Sequence, residues 1–187
     1  MELALPIVGA VALMRVAELI VSRRRLAQDG RKGAAAPIRE PVYPLMVAVH
    51  AAWLAGCLLE ALWAQPAWDP FIALPALLAW ALALGLRLWL MAALGRLWNV
   101  RLVRRADQPV ITAGPYRYVR HPNYLAVVLE LAAVLLALGA YWTALLAGLA
   151  NGWVLWRRMA GEEAYLFSMP GYAAAFADKK RLIPGLF

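Results

Sequence analysis

The sequence predicts an all-α, polytopic membrane protein with about five transmembrane helices and a cytoplasmic C-terminal helical extension. Hydrophobic residues make up 64% of the 187 positions and only 16% are charged, whereas an ordinary soluble domain has about a quarter of its residues charged. Mean hydropathy is +0.63. A helix that crosses a bilayer needs roughly 20 mostly apolar residues, because lipid offers no partners for backbone polar groups. The chain contains about five stretches of this kind.

These apolar stretches define the predicted helices in order. The predicted spans are residues 3–21, 42–63, 71–94, 123–139 and 141–156. The first has no basic segment before it and no small-residue cleavage site, so it predicts a retained helix and not a signal peptide. The fourth and fifth are short and predict a tight helical hairpin that turns at 139–142. Residues 27–36, rich in alanine and glycine, predict a linker between the first two helices.

The distribution of basic residues predicts the orientation. Seventeen of the 19 Lys and Arg residues lie in the segments 23–40, 95–121 and 157–181, and none lies in 64–70 or 139–141. Cytoplasmic loops carry the excess of basic residues, so the N-terminus is predicted outside and the C-terminus in the cytoplasm. The net charge of +8 suits the anionic headgroups of membrane lipids. Basic residues spread over three separate loops do not predict a nucleic-acid partner.

Cysteine and histidine are too few to form a metal cluster or a disulfide within the chain. Cys57 is the single cysteine and lies in the second predicted helix. His50 and His121 are the two histidines, and neither has the spacing of a metal ligand. The sequence therefore predicts no metal site.

Five ionisable residues fall inside or near the ends of predicted helices, where a charge is costly and indicates a functional or structural partner. They are Arg15, Glu18, Glu60, Arg87 and Glu130. Arg15 and Glu18, three positions apart on one helix face, are spaced to neutralise each other. Glu130 lies six residues beyond Tyr124, nearly two turns along the same helix, and is a candidate for a role at the substrate.

Two polar segments interrupt the apolar background. The first is Gly114-Pro-Tyr-Arg-Tyr-Val-Arg-His-Pro-Asn-Tyr124, and the second is Arg158-Met-Ala-Gly-Glu162-Glu163. Proline suits the first position of a helix, so the fourth helix is predicted to begin at Pro122, inside the first segment. Its N-terminus would offer free N–H groups and partial positive charge to a carboxylate or to hydroxyls.

The spacing within each segment places its polar side chains on one helix face. His121 and Tyr124 are three apart, and Arg158 and Glu162 are four apart on the extension of the fifth helix. Taken singly, a His-Pro helix start and an Arg–Glu pair at this spacing also have ordinary structural explanations. If the hairpin is tight, however, the two faces meet at the cytoplasmic mouth.

Together with the closing Arg181-Leu-Ile-Pro184, these segments and their spacing resemble the isoprenylcysteine carboxyl methyltransferase family, which is related to membrane phospholipid methyltransferases. The resemblance covers the chain from about residue 95 to the end. The chain is too short for a second domain beside its apolar stretches, so the sequence predicts a single membrane domain over 1–187 with three helices in 1–94, and the resemblance implies a cofactor-binding methyltransferase core in 95–187. It also implies a helical methyltransferase without a Rossmann sheet, which uses S-adenosylmethionine at the cytoplasmic side and releases S-adenosylhomocysteine.

By position in the family's motifs, the resemblance assigns candidate site residues. The candidates for cofactor binding are Gln108, Pro109, Val110, Ile111, Tyr116, His121, Pro122, Asn123, Tyr124 and Glu162. The catalytic candidates are Arg158, which would face the substrate's acidic group, Glu162, which would also hold Arg158 in place, and Glu130 from its position in the helix. The chain has Ala126 where the family often has glycine, which leaves slightly less room at that point.

The methyl acceptor is expected to be a lipophilic or prenylated molecule that enters sideways from the bilayer of a bacterial cytoplasmic membrane. An isoprenylcysteine-type carboxylate needs no base, whereas an alkylpyrone or alkylresorcinol hydroxyl would use Glu130 or His121. The sequence leaves these two O-methylation classes open. Arg158 favours an acidic acceptor, so phospholipid N-methylation is the alternative. A further alternative is a small transporter or scaffold, which would not need the paired polar segments.

Overall fold

The structure is a computed structural model that describes residues 4–105 and 108–186, most of which lie in helices. The elements in chain order are α1 (Ala4–Arg31), β1 (Ala35–Pro37), α2 (Tyr43–Trp63), α3 (Pro70–Leu94), β2 (Val103–Arg105), α4 (Pro122–Ala137), α5 (Tyr141–Leu166) and α6 (Tyr172–Phe176). Short 3-10 helices cover Gly95–Leu97 and Gly114–Arg117.

Among the described residues, three helices are long and apolar enough to cross a membrane, namely Ala4–Arg31, Tyr43–Trp63 and Pro70–Leu97. The prediction of a helical membrane protein with several spans is confirmed at this level. Helix α4 is apolar but has only 16 residues, and the second half of α5 carries the polar Arg158 segment. The count of five spans therefore stays a prediction.

Helix α1 is longer than predicted. It continues beyond position 21 to Arg31. The residues that follow position 21 include Arg23, Arg24 and Arg25, and arginine is a good helix former. The first glycine after position 21 is Gly30, close to the end of the helix. The predicted linker over 27–36 thus holds the end of α1 and the start of β1. Leu3, the predicted first residue of this span, lies outside the described residues.

Helix α4 occupies the middle of the bundle. Ten of its 16 residues are buried, compared with five of 28 in α1. It packs against α3 and α5, while α2 packs against α5 and α1. The main apolar core joins α4 to its neighbours through Val11, Trp53, Tyr124 and Leu155. The first polar segment is therefore anchored at the start of the most buried helix.

The predicted hairpin between α4 and α5 is tight. Gly139 has φ +67° at the turn, and a Cβ there would lie 2.8 Å from the Cβ of Pro66, so both conformation and space favour glycine. Glu60 at the end of α2 accepts hydrogen bonds from the backbone N–H groups of Trp142 (2.9 Å) and Thr143 (2.7 Å). It thereby satisfies free donors at the start of α5. Because α5 begins at Tyr141, the turn is shorter than the predicted 139–142.

A two-stranded antiparallel sheet ties the α1–α2 connection to the segment after α3. Ala35 pairs with Arg105 and Pro37 with Val103. The backbone N–H of Ile38 continues the contact by donating to the carbonyl of Leu102 (2.9 Å). The N-terminal half of the chain is thus fixed against the 95–121 segment at the end of the bundle where α4 begins.

Candidate functional site

A cavity of about 160 Å³ lies at the end of the bundle where α4 begins and α5 finishes. Its walls come from the end of α3, the 95–121 segment, the first turn of α4, the last turns of α5, and α6. Ten of the predicted site residues line it: Gln108, Pro109, Val110, Ile111, Tyr116, His121, Asn123, Tyr124, Arg158 and Glu162. Two predicted site residues, Pro122 and Glu130, are not among its lining residues.

The start of α4 is held by the C-terminal segment of the chain. The backbone N–H of Arg120 donates to the carbonyl of Lys180 and that of His121 to the carbonyl of Arg181, both at 2.9 Å. Helix α4 then begins at Pro122, as predicted, because a proline in the first position lacks only an N–H that would have no helical partner. These two hydrogen bonds fix the backbone of His121, whose buried side chain lines the cavity.

Gly114, the first residue of this polar segment, has a structural reason to be glycine. Its φ is +61°, and a Cβ would lie 2.8 Å from the Cβ of Ala93 and 3.3 Å from Nε1 of Trp89. The segment therefore runs directly against the end of α3. This close approach sets the position of Tyr116 in the cavity wall.

The two polar segments meet across the hairpin. The hydroxyl of Tyr124 donates to Oε2 of Glu162 (2.5 Å), and Nδ1 of His121 lies 4.0 Å from the same oxygen. The rings of His121 and Tyr124 lie 5.3 Å apart. The predicted convergence of the two helix faces is confirmed by these contacts.

Arg158 is held by a residue that the sequence analysis did not identify. Its Nε donates to Oε2 of Glu40 (2.8 Å) and its Nη2 to the carbonyl of Val100 (2.6 Å). The expectation that Glu162 holds Arg158 is wrong, because Glu162 accepts from Tyr124 and Glu40 makes the ion pair. Glu40 also accepts from the backbone N–H of Leu102 (2.7 Å).

Glu163 is a second residue whose contacts were not foreseen. Its carboxylate accepts from Arg181 (2.6 Å), from Arg120 (3.2 Å) and from Nε2 of His121 (3.2 Å). Burial opposes its ionisation, but hydrogen bonds from Arg181 and His121 outweigh burial and hold the pKa of Glu163 below its usual value. The carboxylate therefore remains charged and joins α5, the α4 start and the C-terminal segment. Its position beside Glu162 in the second polar segment is the sequence feature that could have identified Glu163 as a site residue.

Glu130 lies in an ionic cluster deeper in the bundle. Its Oε2 accepts from Arg15 (2.5 Å) and Arg87 (2.9 Å), and it has no exposed surface. Glu18 completes the cluster by contacting Arg15 (2.8 Å) and Arg87 (3.3 Å). The predicted pairing of Arg15 with Glu18 is confirmed, and the cluster joins α1, α3 and α4.

The cavity wall presents unpaired hydrogen-bond acceptors. Within the described part of the chain, Oε1 of Gln108 and Oδ1 of Asn123 are buried without a partner. Burial and the nearby Glu162 carboxylate raise the pKa of Tyr116, so its hydroxyl stays protonated at neutral pH. Buried acceptors without partners are costly, and they fit a ligand that carries N–H or O–H donors. Ala126 is fully buried behind this wall, against Leu90 and Trp98.

Comparison with known proteins identifies the family that shares these segments. Residues 76–168 match the model of the isoprenylcysteine carboxyl methyltransferase (ICMT) family. The match covers most of α3, all of α4 and α5, and both polar segments. The chain is also 28% identical over 163 residues to the uncharacterized protein YpbQ of Bacillus subtilis (strain 168), covering 86% of this chain and 94% of that protein.

Proposed function

We propose, on the premise that residues 76–168 match the model of the isoprenylcysteine carboxyl methyltransferase family, that the protein transfers a methyl group from S-adenosylmethionine to a lipophilic acceptor. The family indicates a membrane methyltransferase. The observation that carries the finer proposal is the cavity in which both polar segments converge. Ten candidate residues from two separate stretches of sequence line this one space.

The cavity residues fit the polar groups of S-adenosylmethionine. The unpaired amide oxygens of Gln108 and Asn123 suit the amino and hydroxyl donors of such a ligand, and the Glu162 carboxylate suits its positive charge. When bound, the cofactor supplies an electrophilic methyl group on a cationic sulfur. The chain's own task is to align an oxygen nucleophile and to exclude water.

Arg158 is placed to orient the acceptor. Its guanidinium lines the cavity, and Glu40 and the Val100 carbonyl restrict its position. A carboxylate acceptor is already anionic and needs no base. A hydroxyl acceptor would use His121, which lines the cavity, in preference to Glu130, whose carboxylate is enclosed by two arginines.

The proposed site lies at the cytoplasmic surface of a bacterial cytoplasmic membrane, with the N-terminus outside and the C-terminus inside. The excess of basic residues in the segments around the cavity supports this orientation. S-adenosylmethionine then arrives from the cytosol and the lipophilic acceptor arrives from the bilayer. Membrane lipids surround the exposed apolar faces of the helices.

Equilibrium binding of labelled S-adenosylmethionine to the purified protein in detergent tests this proposal. We expect saturable binding that Glu162→Ala weakens by roughly tenfold, since a charge-assisted contact is lost. Asp178→Asn serves as the control, because Asp178 is an exposed carboxylate outside the cavity wall. Absence of saturable binding by the unaltered protein would contradict the proposal and favour a transporter or scaffold.

A further inference from the structure

A second cavity, which we call the distal cavity, lies at the opposite end of the bundle from the candidate site. Its volume is about 570 Å³, and its walls come from the starts of α1, α3 and α5, the ends of α2 and α4, and the α2–α3 and α4–α5 connections. Tyr124 in the first cavity and Leu136 in the distal cavity lie about 18 Å apart along α4. Among the described residues, the two cavities share no part of their walls.

Small side chains leave the distal cavity open. The α4–α5 turn approaches the α2–α3 connection closely, because a Cβ on Gly139 would lie 2.8 Å from the Cβ of Pro66. The volume is in the range of small-molecule sites, roughly 300–1,000 Å³. An apolar space that nothing fills forfeits the van der Waals contacts of its walls, so an apolar chain suits it. Six of its 13 lining residues are alanine or glycine, namely Ala4, Ala61, Ala67, Ala73, Ala137 and Gly139.

The polar residues of this wall belong to the connections at the end of the bundle. Trp68 and Asp69 are neighbours between α2 and α3, and Tyr141 is the first residue of α5. All three are exposed. An indole N–H and a phenol hydroxyl can donate to phosphate or ester oxygens, whereas a carboxylate accepts from an ammonium group. The distal cavity therefore combines an apolar space with the donors and the acceptor that a zwitterionic headgroup requires.

The charge at this end of the bundle is negative. Asp69 is the one charged residue among the described lining residues, and its Oδ1 caps α3 by accepting from the backbone N–H of Phe71 (2.9 Å). Glu60 adds a second carboxylate, which accepts from backbone N–H groups at the start of α5. The segments 64–70 and 139–141 contain no Lys or Arg. Charge complementarity thus favours an amine-bearing headgroup over one with a net negative charge.

Exposed aromatic side chains support a membrane boundary at the same end. Trp63, Phe71 and Trp142 are strongly exposed and flank the two connections. Tryptophan is enriched where lipid headgroups meet water. The polar residues of the distal cavity would then lie at headgroup level, while its alanine-rich wall follows the helices into the bilayer.

We propose that the distal cavity binds one membrane lipid with an amine-bearing, zwitterionic headgroup such as phosphatidylethanolamine. An acyl chain lies against the alanine-rich wall, and the ammonium group lies at the Asp69 carboxylate. The bound lipid joins the α2–α3 connection to the α4–α5 turn. This inference does not depend on the proposed methyl transfer, because no residue of the first cavity takes part in it.

Mass spectrometry of the intact protein in detergent, which resolves bound lipids one by one, tests the inference. The probes are phosphatidylethanolamine and phosphatidylglycerol with identical acyl chains, which differ only in the headgroup. We expect the first phosphatidylethanolamine to bind about tenfold more tightly than the first phosphatidylglycerol, as one charge-assisted contact would give. Asp69→Asn should reduce this preference to within about twofold, and α3 keeps its cap because asparagine and aspartate cap helices equally well.

Ala67→Trp tests the cavity itself. Ala67 lines the distal cavity but is exposed, so a large side chain can enter the space from the connection without disturbing the packed helices. We expect it to weaken binding of both lipids by about tenfold or more, since the acyl chain loses its apolar contacts. Ala55→Trp is the matched control, because Ala55 is exposed on α2 and lies outside this wall. Its affinities should equal those of the unaltered protein.

Several results would overturn the inference. One is equal affinity of the unaltered protein for the two lipids, or tighter binding of phosphatidylglycerol. Another is unchanged lipid binding in Ala67→Trp. A dimeric mass that Ala67→Trp converts to a monomeric mass, with lipid binding unaltered, would assign the distal cavity to a second copy of the chain. Lipid binding that appears only after residues 1–3 are deleted would assign it to the chain's own N-terminus.

Discussion

Among single side chains, Glu130 occupies the most demanding environment. It is fully buried, and it contacts arginines from α1 and α3. A charge at such a depth persists only when other groups balance it, and removal of one member leaves the others uncompensated. The two arginines and two glutamates of this cluster carry no net charge together. Glu130 therefore holds α1, α3 and α4 together through its ion pairs with Arg15 and Arg87.

We expect Glu130→Gln to destabilise the protein by about 3–5 kcal/mol, because Arg87 and Arg15 would lose a shared carboxylate in the bundle interior. Thermal unfolding in detergent measures this loss, with Asp178→Asn as an exposed control. Methyl transfer is assayed well below the melting temperature. A variant with unchanged melting temperature but abolished transfer would instead support the catalytic role that the sequence analysis assigned to Glu130.

The residues that sequence could identify are those whose partners lie nearby in the chain. His121 with Tyr124 and Arg158 with Glu162 follow from helical spacing, and the structure places all four in one cavity wall. Glu40 could not be identified in this way, because 118 positions separate it from Arg158. Only the folded connection between α1 and α2 brings that carboxylate to the site.

At the scale of secondary-structure elements, the close approach of the Gly114 segment to α3 positions one wall of the cavity. The left-handed conformation of Gly114 turns the chain there, and Ala93 and Trp89 leave no room for a side chain. The sequence predicted the start of α4 at Pro122 from the chemistry of proline. It did not predict this contact, because a glycine before a proline is compatible with many turns.

We expect Gly114→Ala to cost about 1–2 kcal/mol from its left-handed backbone alone, with a further loss from the contact with Ala93. S-adenosylmethionine binding should weaken as well, since the segment that carries Tyr116 must shift. Gly148→Ala is the control, because Gly148 lies within α5 with nothing near its missing side chain. Unfolding and cofactor binding measure the two effects. If the Gly114→Ala and Gly148→Ala proteins had the same free energy of unfolding and the same affinity for S-adenosylmethionine, this account would be contradicted.

At the scale of the whole molecule, exposed aromatic residues support a membrane boundary at the end opposite the cavity. Trp63, Phe71 and Trp142 are strongly exposed and flank the α2–α3 and α4–α5 connections. Tryptophan is enriched at membrane interfaces. The exposed aromatic residues at both connections therefore support a hairpin of α4 and α5 that reaches the same membrane surface as the connection between α2 and α3. Composition predicted the helical class, but the short α4 could not be counted as a span from apolar length alone.

Cysteine labelling in intact cells tests the predicted five-span topology. With Cys57 replaced by serine, we expect Ala67→Cys to react with a membrane-impermeant maleimide from outside. Lys32→Cys and Asp178→Cys should react only after the cytoplasmic side is opened, because both lie in the basic segments. All three positions are exposed. Labelling of Lys32→Cys or Asp178→Cys in intact cells would refute the orientation.

Transfer of labelled methyl from S-adenosylmethionine to organic-extractable material tests the central claim most directly. Membranes that contain the unaltered protein are compared with Arg158→Ala and with Arg157→Ala, a neighbouring exposed arginine that packs over Trp153. We predict a labelled lipid product, a loss on the order of 100-fold in Arg158→Ala with cofactor binding retained, and near-normal transfer in Arg157→Ala. Mass spectrometry of the product distinguishes a methyl ester, a methyl ether and a methylated amine. No labelled product with native lipids, prenylated cysteine or alkylresorcinol, or equal transfer by the two arginine variants, would contradict the account.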